Sequence, residues 1–262
     1  MRRQEAIRIH TGEQEADMQD DVTQEYTIRR IAVIHTDFGE KFGIPRQSGL
    51  ADTRAEIIFE PEYASTEAVR GLNAFNYLWL IWQFSENKDS GWHPTVRPPR
   101  LGGNTRMGVF ATRSPFRPNA LGLSSVKLER IEEREGVGPV LHVRGADLMD
   151  GTPIFDIKPY IPYADVHEDA LEGFTGPTKG YSLGVRIKDD LLKNSGFPEE
   201  KTEALRQVLS QDPRPSYQED PERIYGMNFA GFEVKFKVRE GELEVASIEK
   251  AMITESINNR KH

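Results

Sequence analysis

The chain has 262 residues, 37% of them hydrophobic, with a formal net charge of −8 and no cysteine. That length holds one large domain or a large and a small one, and the missing cysteine excludes disulfides, thiolate nucleophiles and Cys-ligated zinc or iron–sulfur sites. No apolar run is long enough to span a bilayer, and no apolar core follows Arg2 and Arg3 as a signal peptide requires, so a reducing, cytoplasmic setting is expected.

Residues 1–25 are polar and charged and read as a flexible tail. Tyr26–Thr36 is rich in β-branched residues and predicts a first strand. Phe42–Leu50 (FGIPRQSGL) is a loop, and Ile57–Phe59 a short strand. Ser65 and Thr66 are placed to cap a short helix running through Leu72 and Phe75. Tyr77–Phe84 (YLWLIWQF) is a continuous apolar run, read as a buried strand with Tyr77, Trp79, Trp82 and Phe84 in the core. A strand is expected at Met107–Thr112, and Leu123–Ile131 and Val140–Arg144 alternate as half-buried strands do. Asp150-Gly151 marks a turn before a strand around Ile154–Ile157. Many short strands with little helix favour an antiparallel sheet or barrel over a doubly wound fold.

Asp165–Gly180 is acidic and Gly-rich and reads as a linker. Pro198–Gln211 carries Glu199 and Glu200 in its first turn and Ala204, Leu205, Val208 and Leu209 on one face, an amphipathic helix. Phe232, Val234, Phe236 and Val238 alternate with charge, and a turn near Gly241 leads to Leu243, Val245 and Ile248, so a hairpin beside a helix is expected. The fold class expected is mainly β. A β domain over 26–166 and a linker over 167–180 precede a small α+β C-terminal domain over 181–255.

Between Ser90 and Leu128 there is no Asp or Glu, while Arg97, Arg100, Arg106, Arg113, Arg117 and Lys127 all lie there. An acidic protein that excludes acid from one Pro- and Gly-rich stretch is equipped to hold anions, and arginine suits bidentate contact with phosphate or carboxylate. The plainer alternative is that distant acids fold back to pair with these cations. Familiar motifs are absent: no GxGxxG after a strand, no Walker A loop, no G-x-S-x-G elbow and no H-E-x-x-H, and the scattered His residues give no metal-ligand spacing. Asp147 and Asp150 could accept hydrogen bonds from ribose hydroxyls or an amine, or Asp150 could simply hold its own turn. Trp92, beside Gly91, is a candidate for stacking on a ligand.

The segment Arg97–Asn119 (RPPRLGGNTRMGVFATRSPFRPN) resembles the signature of the TrmO family, also called TsaA-like or YaeB-like proteins. The likeness continues in PRQSGL (Pro45–Leu50), AVRGLNAF (Ala68–Phe75), DLMDGTP (Asp147–Pro153), DIKPY (Asp156–Tyr160) and SQDPRPSY (Ser210–Tyr217). The resemblance implies a single-sheet β-barrel catalytic domain, a dimer, and a tRNA methyltransferase using S-adenosylmethionine. It implies methylation of N6 of N6-threonylcarbamoyladenosine, next to the anticodon of threonine tRNA. Carried over by motif, the cofactor pocket falls on Ser48, Gly49, Leu50, Ser85, Glu86, Arg113, Leu123, Asp147, Leu148, Met149 and Asp150. Many members have Pro at the Ser48 position and His-Gln at Ser85-Glu86. Asn119 is expected to orient the reacting N–H, and Arg97, Arg100, Arg106 and Arg117 to meet tRNA phosphates or the threonyl carboxylate. No metal and no membrane are expected. The competing readings are a barrel that binds tRNA or a nucleotide without chemistry, and a methyltransferase acting on a small metabolite.

Overall fold

A computed structural model describes residues 26–87, 91–101, 105–214 and 220–251. The expected tail (1–25), Gly102–Asn104 of the signature, Pro215–Tyr217 and the last residues of the small domain lie outside these, as does the Arg100 side chain. The elements in chain order are β1 (Ala32–His35), β2 (Arg54–Phe59), β3 (Tyr77–Gln83), β4 (Thr95–Val96), β5 (Met107–Gly108), β6 (Leu121–Arg134), β7 (Gly138–Arg144) and β8 (Thr152–Pro159). Then come α1 (Pro162–Asp165), β9 (Gly184–Arg186), α2 (Asp189–Ser195), α3 (Thr202–Ser210), β10 (Tyr225–Phe229), β11 (Phe232–Arg239) and β12 (Glu242–Lys250).

Six strands close into a barrel in the order β1-β2-β7-β6-β3-β8, with every neighbouring pair antiparallel. The mainly β expectation therefore holds, and the sheet is single and closed, which removes its edges. Period-two alternation sends Leu78, Leu80 and Trp82 of β3 inward, and Gly122, Ser124, Val126 and Leu128 of β6. Ile34, Ile57, Leu141, Val143 and Ile154 complete the interior. A narrow barrel is filled by such side chains and leaves room for a ligand only at its mouth.

β4 and β5 form a separate two-stranded ribbon, and the C-terminal strands form a sheet in the order β10-β11-β12-β9, with α3 among its buried core partners. The predicted hairpin is β11–β12, and the predicted helix is a 3-10 turn at Glu199–Lys201 running into α3. The core of this sheet also takes in Phe38 and Ala51, which belong in sequence to the loop between β1 and β2. Burying an aromatic side chain such as Phe38 stabilises the joint by about 1.5–3 kcal/mol.

Several sequence expectations differ from the structure. β1 begins at Ala32, not at Tyr26. The helix expected after Ser65 is a series of i→i+3 turns ending in a 3-10 turn at Leu72–Ala74, because Gly71 adopts a left-handed φ of 83°. The strand expected at Met107–Thr112 stops at Gly108, and Val109–Ala111 is a 3-10 turn that buries Val109. Of the aromatic run, Trp82 faces the core, whereas Tyr77 and Trp79 face outward. There Trp79 Nε1 donates to Asp165 Oδ2 at 3.0 Å and its ring lies 5.5 Å from that of Tyr160. A continuous apolar run cannot reveal that its second face is covered by a short helix. β9, α2 and β10 were not anticipated: β9 is only three residues long and β10 only five, too short for a period to stand out.

Candidate active site at the barrel mouth

The strand-end sequence Gly145-Ala146-Asp147 follows β7 and lies beside the loop that carries Ser48-Gly49. Gly49 N–H donates to Gly145 O at 2.8 Å, and a Cβ on Gly145 would come within 3.2 Å of the Gly49 backbone. The close approach of these glycines lets the Ser48 backbone N–H reach the Asp147 carboxylate.

Asp147 anchors the site. Trp82 Nε1 donates to Ser124 Oγ at 3.0 Å, and that hydroxyl donates to Asp147 Oδ1 at 2.6 Å. Donating on to Asp147 fixes the direction of the Ser124 proton, so this chain orients the carboxylate from inside the barrel. Trp82 can lie where it does because its cross-strand partner is Gly122: any Cβ there would overlap the indole ring. A β-bulge between Ile81 and Trp82, where β8 carries the extra Phe155, re-aims the tryptophan at this point. Burial pushes the Asp147 carboxyl above its ordinary range, opposed by the bonds from Ser124 and the backbone and by the charge of Arg113. A half-desolvated carboxylate at a barrel mouth gains most when a cation arrives to share it.

A cleft of about 210 Å³ opens beside it. Trp82, Phe84 and Ile44 give it apolar walls, Asp147 and Glu86 supply acid, and Lys41 supplies a cation. The opening is smaller than a site that encloses a whole drug-sized ligand, about 300–1,000 Å³, so a ligand here lies partly over the open mouth.

Of the residues assigned to the cofactor, Ser85, Glu86, Asp147 and Met149 line this cleft. Ser48 reaches Asp147 through its backbone, and Gly49 and Leu50 follow at the rim with Leu50 exposed. Arg113 donates to Gln47 Oε1 and stands close enough to Asp147 to act on its charge. Leu148 is buried in the barrel core, so its side chain does not face the cleft. Leu123 projects from the outer face of β6, opposite to Ser124, and lies outside the lining. Asp150 tethers the end of β1 instead. Its Oδ1 accepts from Thr36 N–H at 3.0 Å and lies 3.2 Å from His35 Nδ1. Lys41, Ile44, Gln83, Pro115 and Thr152 line the cleft without having been anticipated. The Lys41 and Ile44 positions flank a loop motif, and only the fold shows that this loop crosses the barrel mouth.

The signature segment wraps the same end of the barrel. Thr112 Oγ1 donates to Val109 O at 2.9 Å, Ser114 N–H to Thr112 Oγ1 at 3.3 Å and Phe116 N–H to Ser114 Oγ at 3.3 Å. These linked turns set Pro115 against the cleft. Arg117 donates to Thr112 O at 2.7 Å and lies over the Phe110 ring, so much of its bonding is spent within its own loop. Asn119 is exposed one residue before Ala120, whose carbonyl accepts from Phe84 N–H at 2.9 Å beside the cleft. Trp92 is exposed.

Arg97 and Arg106 are brought together. β4 and β5 pair antiparallel with Thr95 opposite Gly108 and Val96 opposite Met107, so Arg97 and Arg106 leave the same end of this ribbon. Both are exposed, and neither makes an ion pair among the described residues. Like charges at neighbouring positions destabilise a ribbon unless an anion lies between them. Among the described residues no group of three or more His, Asp or Glu is placed to hold a metal ion, and no helix is long and apolar enough to cross a membrane.

Comparison with known proteins bears on this geometry. Residues 33–166 match the tRNA-methyltransferase O N-terminal domain, and residues 185–251 match the TrmO C-terminal domain. A tRNA (adenine(37)-N6)-methyltransferase of Escherichia coli (strain K12) is 39% identical over 232 residues, covering 86% of this chain and 98% of that protein. A tRNA (adenine(37)-N6)-methyltransferase of Eikenella corrodens is 47% identical over 182 residues, covering 70% of this chain and 99% of that protein. The crystal structure of a TrmO superposes with a TM-score of 0.71 at 32% identity, covering 86% of this chain and 100% of that one.

Proposed function

The chain belongs to the tRNA-methyltransferase O family, and on that premise we propose that the barrel-mouth cleft binds S-adenosylmethionine against Asp147 and methylates N6 of a threonylcarbamoyladenosine in threonine tRNA. It is a methyltransferase acting on tRNA adenine N6 near the anticodon, as its full-length relatives are named. That agreement sets aside a barrel without chemistry.

The observation that carries the cofactor reading is the Trp82–Ser124–Asp147 chain, which delivers an oriented, partly desolvated carboxylate to the cleft. The residues present suit S-adenosylmethionine. Asp147 and Glu86 offer negative charge to a sulfonium or an α-amino group, Lys41 offers positive charge to a carboxylate, and Trp82 and Phe84 offer apolar surface. Arg113 is held by Gln47 at the edge, placed to receive a second carboxylate, such as that of the threonyl group. When bound, the cofactor supplies an electrophilic methyl group whose bond to sulfur breaks as the bond to N6 forms. The chain's own part is positional: to hold the acceptor nitrogen in line and to accept a hydrogen bond from its N–H, whose proton passes to water at the open mouth as the bond to carbon forms. Asn119 at the cleft edge is assigned that orienting role.

Arg97 and Arg106 are assigned to tRNA phosphates, with Arg100 between them in sequence and Arg117 chiefly shaping the loop. The reading also includes a dimer, for which exposed Leu123 and Phe110 give apolar surface, and a cytoplasmic setting, which the cysteine-free composition supports. The test is methyl transfer from labelled S-adenosylmethionine to tRNA with and without the threonylcarbamoyl group. Label on the threonylcarbamoylated tRNA alone is the expected result. Label on a small metabolite, or on both tRNAs equally, overturns the substrate assignment.

A further inference from the structure

The loop between β1 and β2 has two attachments. Toward the barrel, Thr36 Oγ1 donates to Leu148 O at 3.0 Å, Asp150 N–H to Phe38 O at 2.7 Å and Gly49 N–H to Gly145 O at 2.8 Å. Toward the C-terminal domain there is a second set of ties. Ala230 N–H donates to Asp37 O at 2.9 Å, and Lys201 pairs with the Asp37 carboxylate. Glu40 Oε1 accepts from both Asn228 N at 2.8 Å and Asn228 Nδ2 at 3.0 Å. Arg46 donates to Asp212 O at 3.3 Å, and Gln207 Oε1 accepts from Asp52 N–H at 2.8 Å.

The packing agrees with the polar bonds. Phe38 is fully buried with its ring 5.6 Å from that of Phe229, and Ala51, Phe42 and Ile44 also pack on the C-terminal core. Gly43 has a φ of 94°, and a Cβ there would come 2.6 Å from Met227 Cε, so the sheet lies directly on the loop's backbone. Asp212 is in turn fixed by Arg214 at 2.8 Å and by the Tyr181 hydroxyl at 3.0 Å. The loop is thus hydrogen-bonded to the barrel and packed on the C-terminal core. It carries Lys41 and Ile44, which line the cleft, and Ser48, which bonds Asp147.

We propose that the C-terminal domain is a positioning element of the methyl-transfer cleft: through Asn228 of β10, Lys201 of the 3-10 turn and Gln207 of α3 it fixes the loop that presents Lys41, Ile44 and Ser48 to the cofactor. None of these three residues touches the cleft, so each acts through the loop. A wall built on a segment gripped from behind keeps its shape while the open mouth admits a bulky RNA, which is the preorganisation a transfer reaction needs. The inference rests on the cofactor reading of the cleft given above.

The test is the double variant Lys201→Met, Asn228→Ala in the full chain, measured in two ways. Hydrogen exchange of the segment 39–50 reports the clamp without any ligand, and titration with S-adenosylmethionine reports its consequence. The expected result is faster exchange in that segment with unchanged exchange in β11 and β12. Cofactor affinity should weaken about tenfold while turnover at saturating cofactor changes little. Unchanged affinity beside faster exchange, or unchanged exchange, overturns the proposal. If the double variant does not fold, Gln207→Ala, which leaves the core intact, is read by the same criteria. A wild-type protein that does not bind S-adenosylmethionine overturns the reading of the cleft, while the exchange rates still decide whether the clamp exists.

Discussion

On the wall formed by β2, β6 and β7, Arg134 donates to Glu56 at 3.1 Å and to Glu132 at 3.0 Å. His142 Nε2 lies 2.7 Å from Glu132, and Arg144 bonds Asp52. At one end of the β4–β5 ribbon, Arg97 and Arg106 stand just beyond the paired residues with no ion pair among the described residues. The first set of cations is closed upon the protein's own acids and serves the barrel. The second is held by a turn-rich loop from which acid has been excluded, so its charge is available to something else. Where a cation stands relative to carboxylate, more than how many cations there are, separates a structural arginine from a binding one.

Asp147 gives the sharpest contrast with the ion ladder, because it is a partly buried acid held by hydroxyl and amide donors. Asp147→Asn should lower methyl transfer about 100-fold through lost cofactor binding. The melting temperature should hold or rise. The native carboxyl keeps its proton more tightly than the unfolded one, because burial raises its pKa. Folding stability therefore falls as pH increases from the ordinary carboxylate range to that raised value, and the cost persists above it. The asparagine removes this cost, so a pH series of thermal melts should show the variant gaining on the wild type across that window and staying ahead at neutral pH. A variant less stable at every pH would place Asp147 with the structural charges.

The next effect in size is at the donors behind it. Ser124→Ala and Trp82→Phe each loosen the chain to Asp147 and should weaken cofactor affinity about tenfold, read by titration calorimetry. Equal affinity in both variants would mean that the chain serves packing alone. Then comes the ribbon. Alanine at Arg97 and Arg106 should reduce the salt dependence of tRNA binding by about one unit of slope for each phosphate lost, and leave cofactor affinity untouched. An unchanged slope would remove the pair from the RNA surface.

The smallest functional effect is expected from the ladder. Arg134→Met should lower the melting temperature and leave transfer and tRNA binding as they were. Its partners Arg134 and His142 hold the Glu132 carboxyl at about 2, below its ordinary 4.5. The stability that Glu132 contributes is present above 4.5 and is lost as pH falls toward 2. Wild type and variant should therefore differ in stability above 4.5 and converge as pH falls through that range.

Much of this was legible in the sequence because the signals were local. The acid-free window, the alternation of β6 and β11 and the order of the signature motifs are all readable along the chain. The partners of Asp147 were not, because Ser124 and Trp82 are distant in sequence and meet it only once the barrel closes. Lys41 was missed for the same reason: no spacing places it across from Glu86 until the loop is folded over the mouth. Asp212, inside the SQDPRPSY motif, bonds Arg214 and Tyr181, and its carbonyl accepts from Arg46, ties that the motif itself does not reveal. Asp150 read equally as turn or ligand, and the fold gives it to Thr36 and His35. Long-range satisfaction of a polar group leaves no trace in composition or period.

The most direct test of the account is the transfer of labelled methyl from S-adenosylmethionine to threonylcarbamoylated threonine tRNA by wild type and by Asp147→Asn, with cofactor affinity measured on the same preparations. The account predicts N6-methylated product from the wild type, and loss of product and of affinity together in a variant that melts no lower. Product formed by the variant at the wild-type rate, with unchanged affinity, would contradict it.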